Sequence, residues 1–322
     1  MAGNSQRRGA VRKGGSRQKV GSGGQRRRGL EGKGPTPKAE DRTYHAAHQK
    51  KAEAERREAA KPKRRTPGWV KALPRDTEFV VGRNSVSEAV GAGIPALGVY
   101  VAGGLSGDER VSEVLRKATE SGTPMYEVTR GELEAIADGQ SHQGIAIAIP
   151  PHEYSDLADL VARSHERIAP PLFVALDGVT DPHNLGAVIR SAGAFGADGV
   201  IIPERRAAGV TASVWKVSAG ALAHVEVARV TNLVRALNEM KKDGFFVVGL
   251  DGVAGINIGD IELYDQPLVL VTGAEGAGLS RLVRETCDVT AAVPIAPNVE
   301  SLNAAVATGI CLYQVTQLRE KR

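Results

Sequence analysis

The chain has 322 residues, 42% of them apolar, with a formal net charge of +5, a length that accommodates two domains or more. Its two cysteines, Cys287 and Cys311, form no metal or disulfide spacing, which excludes a disulfide-stapled scaffold and fits small core residues in a reducing compartment. No run of about 18 apolar residues is present, which excludes a transmembrane helix, and no apolar leader segment opens the chain, so the expected location is the cytoplasm, with no membrane partner.

The net charge hides a split. Residues 1–75 carry 22 Lys/Arg and 6 Asp/Glu, and the remainder carries 20 and 31. A basic arm on an acidic body reads as nucleic-acid attachment, because phosphate contacts release counterions without sequence preference. An anionic membrane surface is the alternative. Residues 1–40, rich in Gly, Arg, Lys, Ser and Gln, have too little apolar surface to offset ordering entropy and are expected to be disordered. Basic clusters follow at Arg26–Arg28 and Lys61–Arg65, and residues 43–60 allow a charged helix that forms on a partner.

From Glu78 the texture changes. Strands are predicted at 79–81, 97–101, 125–128 and 145–149, with helices at 86–90, at 108–121 and from Gly131. This is a small α/β unit, placed at 76–150. His142, just before its last strand, reads either as an RNA contact or as an exposed loop residue. Residues 151–170, bounded by proline pairs, read as a linker. The second domain, 171–322, has predicted strands at 172–176, 199–202, 225–227, 245–250, 268–272 and 290–293. Its predicted helices are 184–196, 211–222, 231–242, 278–286 and 302–319. Such alternation implies an α/β fold with a mostly parallel sheet covered on both faces, and ligands bind beyond the carboxyl ends of such strands.

Three loops lie at strand ends. In the first, Asn184 is read as the N-cap of a helix. At 100° per residue that helix carries one apolar stripe, Leu185, Val188, Ile189, Ala192 and Phe195. Arg190 falls almost opposite, among Gly186, Ala187, Gly193 and Ala194. A solvated arginine is the plain reading, but the small neighbours let another backbone, subunit or ligand come close. The second loop, Thr272-Gly273-Ala274-Glu275-Gly276-Ala277-Gly278, matches neither G-x-G-x-x-G nor a P-loop. Glu275 there is placed to cap the next helix or to meet a cation such as Arg190. The third runs from Val293 through Pro294, Ile295 and Ser301 to Leu302 and Asn303. Ser301 is a candidate N-cap. Val306, Ile310 and Tyr313, with Ala305, Ala307 and Cys311, make the last helix apolar nearly all round, which argues burial in the core or in a dimer interface. For Ser301 and Asn303, capping and a ligand role remain open.

These three loops, in this order, resemble the signature motifs of the SpoU/TrmH family of RNA ribose 2′-O-methyltransferases, in the SPOUT superfamily. The matches are Asn184 and Arg190, then Gly273–Gly276 with Glu275, then Pro294, Ser301, Leu302 and Asn303. Arg284–Asp288 and Val306–Leu312 are similar to the subgroup that methylates a guanosine of large-subunit (23S) ribosomal RNA. Gly82–Ala89 is similar to that subgroup's ribosomal-protein-L30e-like RNA-binding domain. Elementary rules draw an unknotted sheet. The resemblance implies instead a deep C-terminal trefoil knot and a homodimer packed knot against knot. It implies S-adenosyl-L-methionine as cofactor, held at Thr272, Gly273, Val293, Ile295, Ser301 and Leu302, with no metal. Arg190, Asn184, Glu275 and Asn303 are the implied catalytic residues, and ribosomal RNA or an assembling ribosomal particle the implied partner. A transfer-RNA ribose and a non-catalytic ribosome-assembly role are the competing readings.

Overall fold

A computed structural model describes residues 66–104 and 108–321. The basic clusters and the charged-helix expectation at 43–60 lie outside the described residues. The first sheet contains β1 (Glu78–Val81), β2 (Gly98–Ala102), β3 (Met125–Val128) and β4 (Ile145–Ile149). Between them run α1 (Arg83–Gly91), α2 (Glu109–Glu120) and α3 (Arg130–Ile136). Strand order is β1-β4-β2-β3, with β2 and β3 parallel and β4 antiparallel to both its neighbours.

The sequence Ile-Ala-Ile-Ala-Ile explains why β4 sits in the middle, since successive side chains point to opposite faces. Ile145, Ile147 and Ile149 enter a cluster with Val86, Val111 and Val114 from α1 and α2. Ala146 and Ala148 leave room on the other face for Tyr100, Leu133, Trp69 and Phe79. Trp69 stacks on Tyr100 with ring centroids 4.2 Å apart, and its Nε1 donates to Glu132 at 3.1 Å. Residues 66–75, expected at the end of the arm, therefore include part of this core. The small alanine face needs a large residue, and Trp69 supplies it. At the start of α2, Asp108 accepts from the Arg110 backbone N and pairs with the Arg83 guanidinium. Hydrogen bonds from Arg110 and Arg83 hold its carboxyl down to about 2.

The second sheet is parallel throughout, in the order β10-β8-β9-β5-β6-β7. Its strands are β5 (Leu172–Asp177), β6 (Gly199–Pro203), β7 (Glu226–Val230), β8 (Phe246–Leu250), β9 (Leu268–Gly273) and β10 (Val289–Ala291). The central strands β5 and β9 are almost entirely buried, which is why they read as unbroken apolar runs. One face packs α5 (Pro182–Ala194), α6 (Ala212–Ser218) and α9 (Ala304–Glu320); the other packs α4 (Leu157–Ser164), α7 (Leu233–Lys242) and α8 (Arg281–Thr286). The α4 helix lies within the expected linker. Leu160 and Val161 are core residues, and Ser155 bridges to Ala228 of β7, so 151–170 is built into the second sheet.

Two other boundaries moved for backbone reasons. The helix expected over 211–222 stops at Ser218, where Ala219 and Gly220 take positive φ of 50° and 88°. The one expected from 278 begins at Arg281, because Gly278 closes a bridge with Ala274. After β10 the chain is pinned to the β8–β9 connection, Ile258 N to Ala292 O and Ala292 N to Ile256 O. It then enters α9 against that same connection, where Gly259 lies against Gln314. This crossing is consistent with the knotted topology implied above. No helix among the described residues is long and apolar enough to cross a membrane.

Truncating Trp69 removes the aromatic packing of the alanine face. Trp69→Ala is expected to lower unfolding stability by about 3 kcal/mol, read as a fall in urea midpoint at unchanged m-value.

Candidate active site

The strand order reverses at β5, flanked by β9 and β6, so the loops after β5 and β9 leave the sheet side by side. Asp177 pairs in register with Gly273, and its carboxylate accepts from Ser280 N at 2.6 Å. An acidic residue ending a buried strand is the sequence signal for this tie, which the pattern of loops alone did not reveal.

Asn184 is not the N-cap of α5. Asp181 caps it, accepting from His183 N at 2.9 Å, and Pro182 occupies the first turn. Proline there fits a position whose N–H would be unpaired anyway. Asn184 is left inside the first turn, 7% exposed, with its amide free for another loop. Asn303 supplies the partner, and it also takes the capping role open between itself and Ser301. Its Oδ1 accepts from Ala305 N and Val306 N at 2.9 and 3.1 Å, starting α9. Its Nδ2 donates to Asn184 Oδ1 at 2.8 Å and to Glu275 Oε1. Glu275 therefore meets neither the following helix start nor Arg190. Asn303 itself is exposed, beside the buried Ala304 and Ala305.

The three loops thus converge on Asn184, Glu275 and Asn303. Beside them opens a cavity of about 490 Å³. Thr272, Gly273, Val293, Ile295, Ser301 and Leu302 all line it, with Asp251 and Glu300 adding carboxylates. Gly273 has no substitute, because a Cβ there would lie 2.1 Å from the Gly278 carbonyl carbon. The Thr272 hydroxyl bonds the Thr308 hydroxyl at 2.7 Å, and Thr308 donates to Ala304 O. Its hydroxyl thus ties β9 to α9. Arg284, paired with Asp251, also lines the cavity.

Arg190 is not brought to this cluster. It is exposed and pairs with no described residue. It lies six residues beyond Asn184, about 9 Å along the helix and about 120° around it. The bare face beside it is partly occupied within the chain: a Cβ on Gly186 would come 2.7 Å from Val217 Cβ, and one on Gly193 3.1 Å from Val225 Cγ2. What stays open is the neighbouring strip, Phe195 with Val306, Ile310 and Tyr313, the last three 51%, 38% and 49% exposed. The opposite side of α9, with Thr308, Cys311, Leu312 and Val315, is core. His142 is neither a free loop residue nor bare: its Nδ1 accepts from Gly144 N at 3.1 Å and its Nε2 lies 3.5 Å from Glu134.

Residues 171–313 match the model of the SpoU rRNA Methylase family. Residues 79–155 match a model described as RNA 2′-O ribose methyltransferase substrate binding. Proteins of Mycobacterium ulcerans and Mycobacterium marinum, each named an uncharacterized tRNA/rRNA methyltransferase, are 50% identical to this chain, with 99% of each chain covered. The crystal structure of the SpoU methyltransferase AviRb from Streptomyces viridochromogenes, in complex with AdoMet, superposes with a TM-score of 0.59 at 27% identity, covering 76% of this chain and 91% of that one. An AdoMet-bound rRNA methyltransferase from Sinorhizobium meliloti gives 0.54 at 27% identity, with 75% and 87% covered.

Asn303→Asp retains a good helix cap but replaces both amide donor bonds by a carboxylate facing Glu275. It is expected to cost about 1–3 kcal/mol of stability, measured by chemical unfolding at neutral pH.

Proposed function

The chain belongs to the SpoU rRNA methylase family, and from that membership we propose that it methylates the ribose 2′-oxygen of a guanosine in large-subunit (23S) ribosomal RNA, using S-adenosylmethionine. It is an RNA methyltransferase of the tRNA/rRNA class. The observation that carries the finer reading is the hydrogen-bonded junction of Asn184, Glu275 and Asn303, where Glu275 lines the cavity and the two asparagines line the cleft beside α9. The match of residues 79–155 to a 2′-O ribose substrate-binding domain supports the ribose oxygen as acceptor.

The cavity fits the cofactor. Its volume is in the range of small-molecule sites. At Gly273 the missing side chain lets the Gly278 backbone fold back against the end of β9, which shapes the cavity wall. Val293, Ile295 and Leu302 offer apolar surface for a purine, while Ser301 and the backbone at Thr272 would supply polar groups for its edge and ribose. Glu275 and Glu300 complement a sulfonium cation. When bound, the cofactor supplies an activated methyl group for in-line transfer.

The protein's part is to position the hydroxyl and stabilise charge. A guanidinium is a permanent cation rather than a base, so Arg190 serves as an anchor for the target phosphate and a stabiliser of charge developing on O2′. Asn184 retains an amide donor facing the cleft beside α9, and Glu275 is oriented by Asn303. Within one subunit Arg190 stands away from the cavity. A homodimer through the exposed strip of Phe195, Val306, Ile310 and Tyr313 covers that apolar surface and carries Arg190 of one subunit toward the cavity of the other. A knotted C-terminal domain is part of the same reading, supported by the crossing of α9 with the β8–β9 connection. The first sheet selects the RNA, free or in an assembling particle, and the basic arm raises affinity. The relatives' tRNA/rRNA designation keeps a transfer-RNA ribose as the second reading.

Purified protein with methyl-labelled cofactor and unmodified 23S or transfer RNA decides between the two. Arg190→Ala is expected to lower transfer at least about a hundredfold while equilibrium cofactor binding persists; equal loss of both refutes the catalytic assignment. Removing residues 1–65 is expected to weaken RNA binding and flatten the slope of log affinity against log salt, measured by filter binding across a salt series.

A further inference from the structure

Away from the cofactor cavity, a second cavity of about 570 Å³ lies between the two sheets. On the first-sheet side are Asp76 and Glu78; His152 and Tyr154 line it from the chain after β4; Thr211, Trp215 and Arg229 close it from the second sheet. The wall is aromatic. The His152 ring stands edge-on to Tyr154 at 4.9 Å and to Trp215 at 6.4 Å, and the Arg229 guanidinium sits 4.2 Å over the Tyr154 ring.

Two features set it apart from ordinary packing between domains. Among the described residues, the only buried side-chain polar atoms without a hydrogen-bond partner are His152 Nε2 and Thr211 Oγ1, and both belong to this cavity's lining. Buried polar atoms are nearly always paired, and unpaired ones lower stability. Thr211 is also the N-cap of α6 yet makes no capping bond, while Glu78 of the other sheet accepts from Ala212 N, the first N–H of the helix, at 2.7 Å. The hydroxyl is thus left idle at a position where it would ordinarily serve the second or third N–H. Asp76, on the rim, adds a non-glycine φ of 63°, a conformation that side chains seldom adopt.

We propose that this cavity binds an unstacked nucleobase of the substrate RNA, at a nucleotide other than the one methylated. The inference rests on the reading of the chain as an RNA methyltransferase. A base is planar, with apolar faces for Tyr154 and Trp215 and a polar edge for His152, Thr211 and Glu78; single-stranded RNA is read in this way, by stacking plus edge hydrogen bonds. The lining carries both signs, Asp76 and Glu78 against Arg229, which suits a neutral heterocycle better than a free anion or cation. Side-chain rotation of the kind interfaces undergo on binding presents the two unpaired atoms to the base. A base held here touches the substrate-binding sheet and the methylase sheet together, so that binding it couples RNA selection to placement at the cavity beside Asn303.

The chain has two tryptophans, Trp69 and Trp215. Full-length Trp69→Phe leaves Trp215 as the sole reporter, to be titrated with each of the four nucleoside 5′-monophosphates at up to millimolar concentration. Saturable quenching by at least one is expected, and its loss in Thr211→Val and His152→Phe. In the parent chain both substitutions should raise KM for RNA about tenfold, near the value of one hydrogen bond, with kcat and cofactor affinity unchanged. A purely structural role predicts something else: removing the unpaired hydroxyl in Thr211→Val raises the melting temperature and leaves KM alone. No quenching by any nucleotide, quenching that survives both substitutions, or an unchanged KM each overturns the proposal. Failure of the parent enzyme to methylate any RNA, with quenching intact, would count against the functional reading above instead.

Discussion

The Asn303 side chain has two ends, and the site depends on both. Its carbonyl oxygen starts α9, and its amide nitrogen joins Asn184 of one loop to Glu275 of another. A helix start is normally a local matter, settled within four residues. Here the cap is also the link between three loops drawn from the ends of β5, β9 and the chain after β10. Any substitution at this position therefore changes helix, loop spacing and site polarity together, and the geometry leaves no separate route to adjust one. The buried hydroxyl pair of Thr272 and Thr308 does similar work one turn further along, locking β9 to the same helix.

Much of this was legible in the sequence, because the parallel sheet announces itself through unbroken apolar runs alternating with amphipathic helices. All six strands of the second sheet and the three loops were placed from the pattern alone. The differences are local and share a cause: neighbouring residues override the commonest role of a strong signal. Asn184 is a good cap, but Asp181-Pro182 is a better one, and the helix starts earlier. Ser301 is a good cap, but Asn303 is nearer the first helical turn. Residues 151–170 have the prolines of a linker and the Leu160-Val161 pair of a core helix, and burial decided between them. The glycines near Arg190 signalled close approach correctly; the approaching surface is partly α6 and the turn after it, in the same chain.

Contacts between distant segments were beyond such a reading. Periodicity reports which face of an element is apolar, not which element will cover it. Nothing in the composition around Trp69 says that an alanine face about eighty residues later will need its indole, and nothing around Glu78 says that it will accept from the first N–H of a helix against the other sheet. These pairings arise because each sheet leaves a shaped remainder on its surface, and the remainder is visible only once the strands are ordered.

The crossing of α9 with the β8–β9 connection has a consequence for how the protein comes into being. Segments that line the candidate cavity lie at 250–253, 272–278 and 291–307, and the helix that fastens them is the last described one. During synthesis, β5, β6 and β7 emerge early and can pair with each other, since their contacts are close in sequence. The cavity is less complete: Asp177 already ties the loops after β5 and β9 through Ser280 N, but the links through Asn303 and Thr308 wait for α9. A growing chain therefore carries most of the walls of the site before α9 arrives to close it.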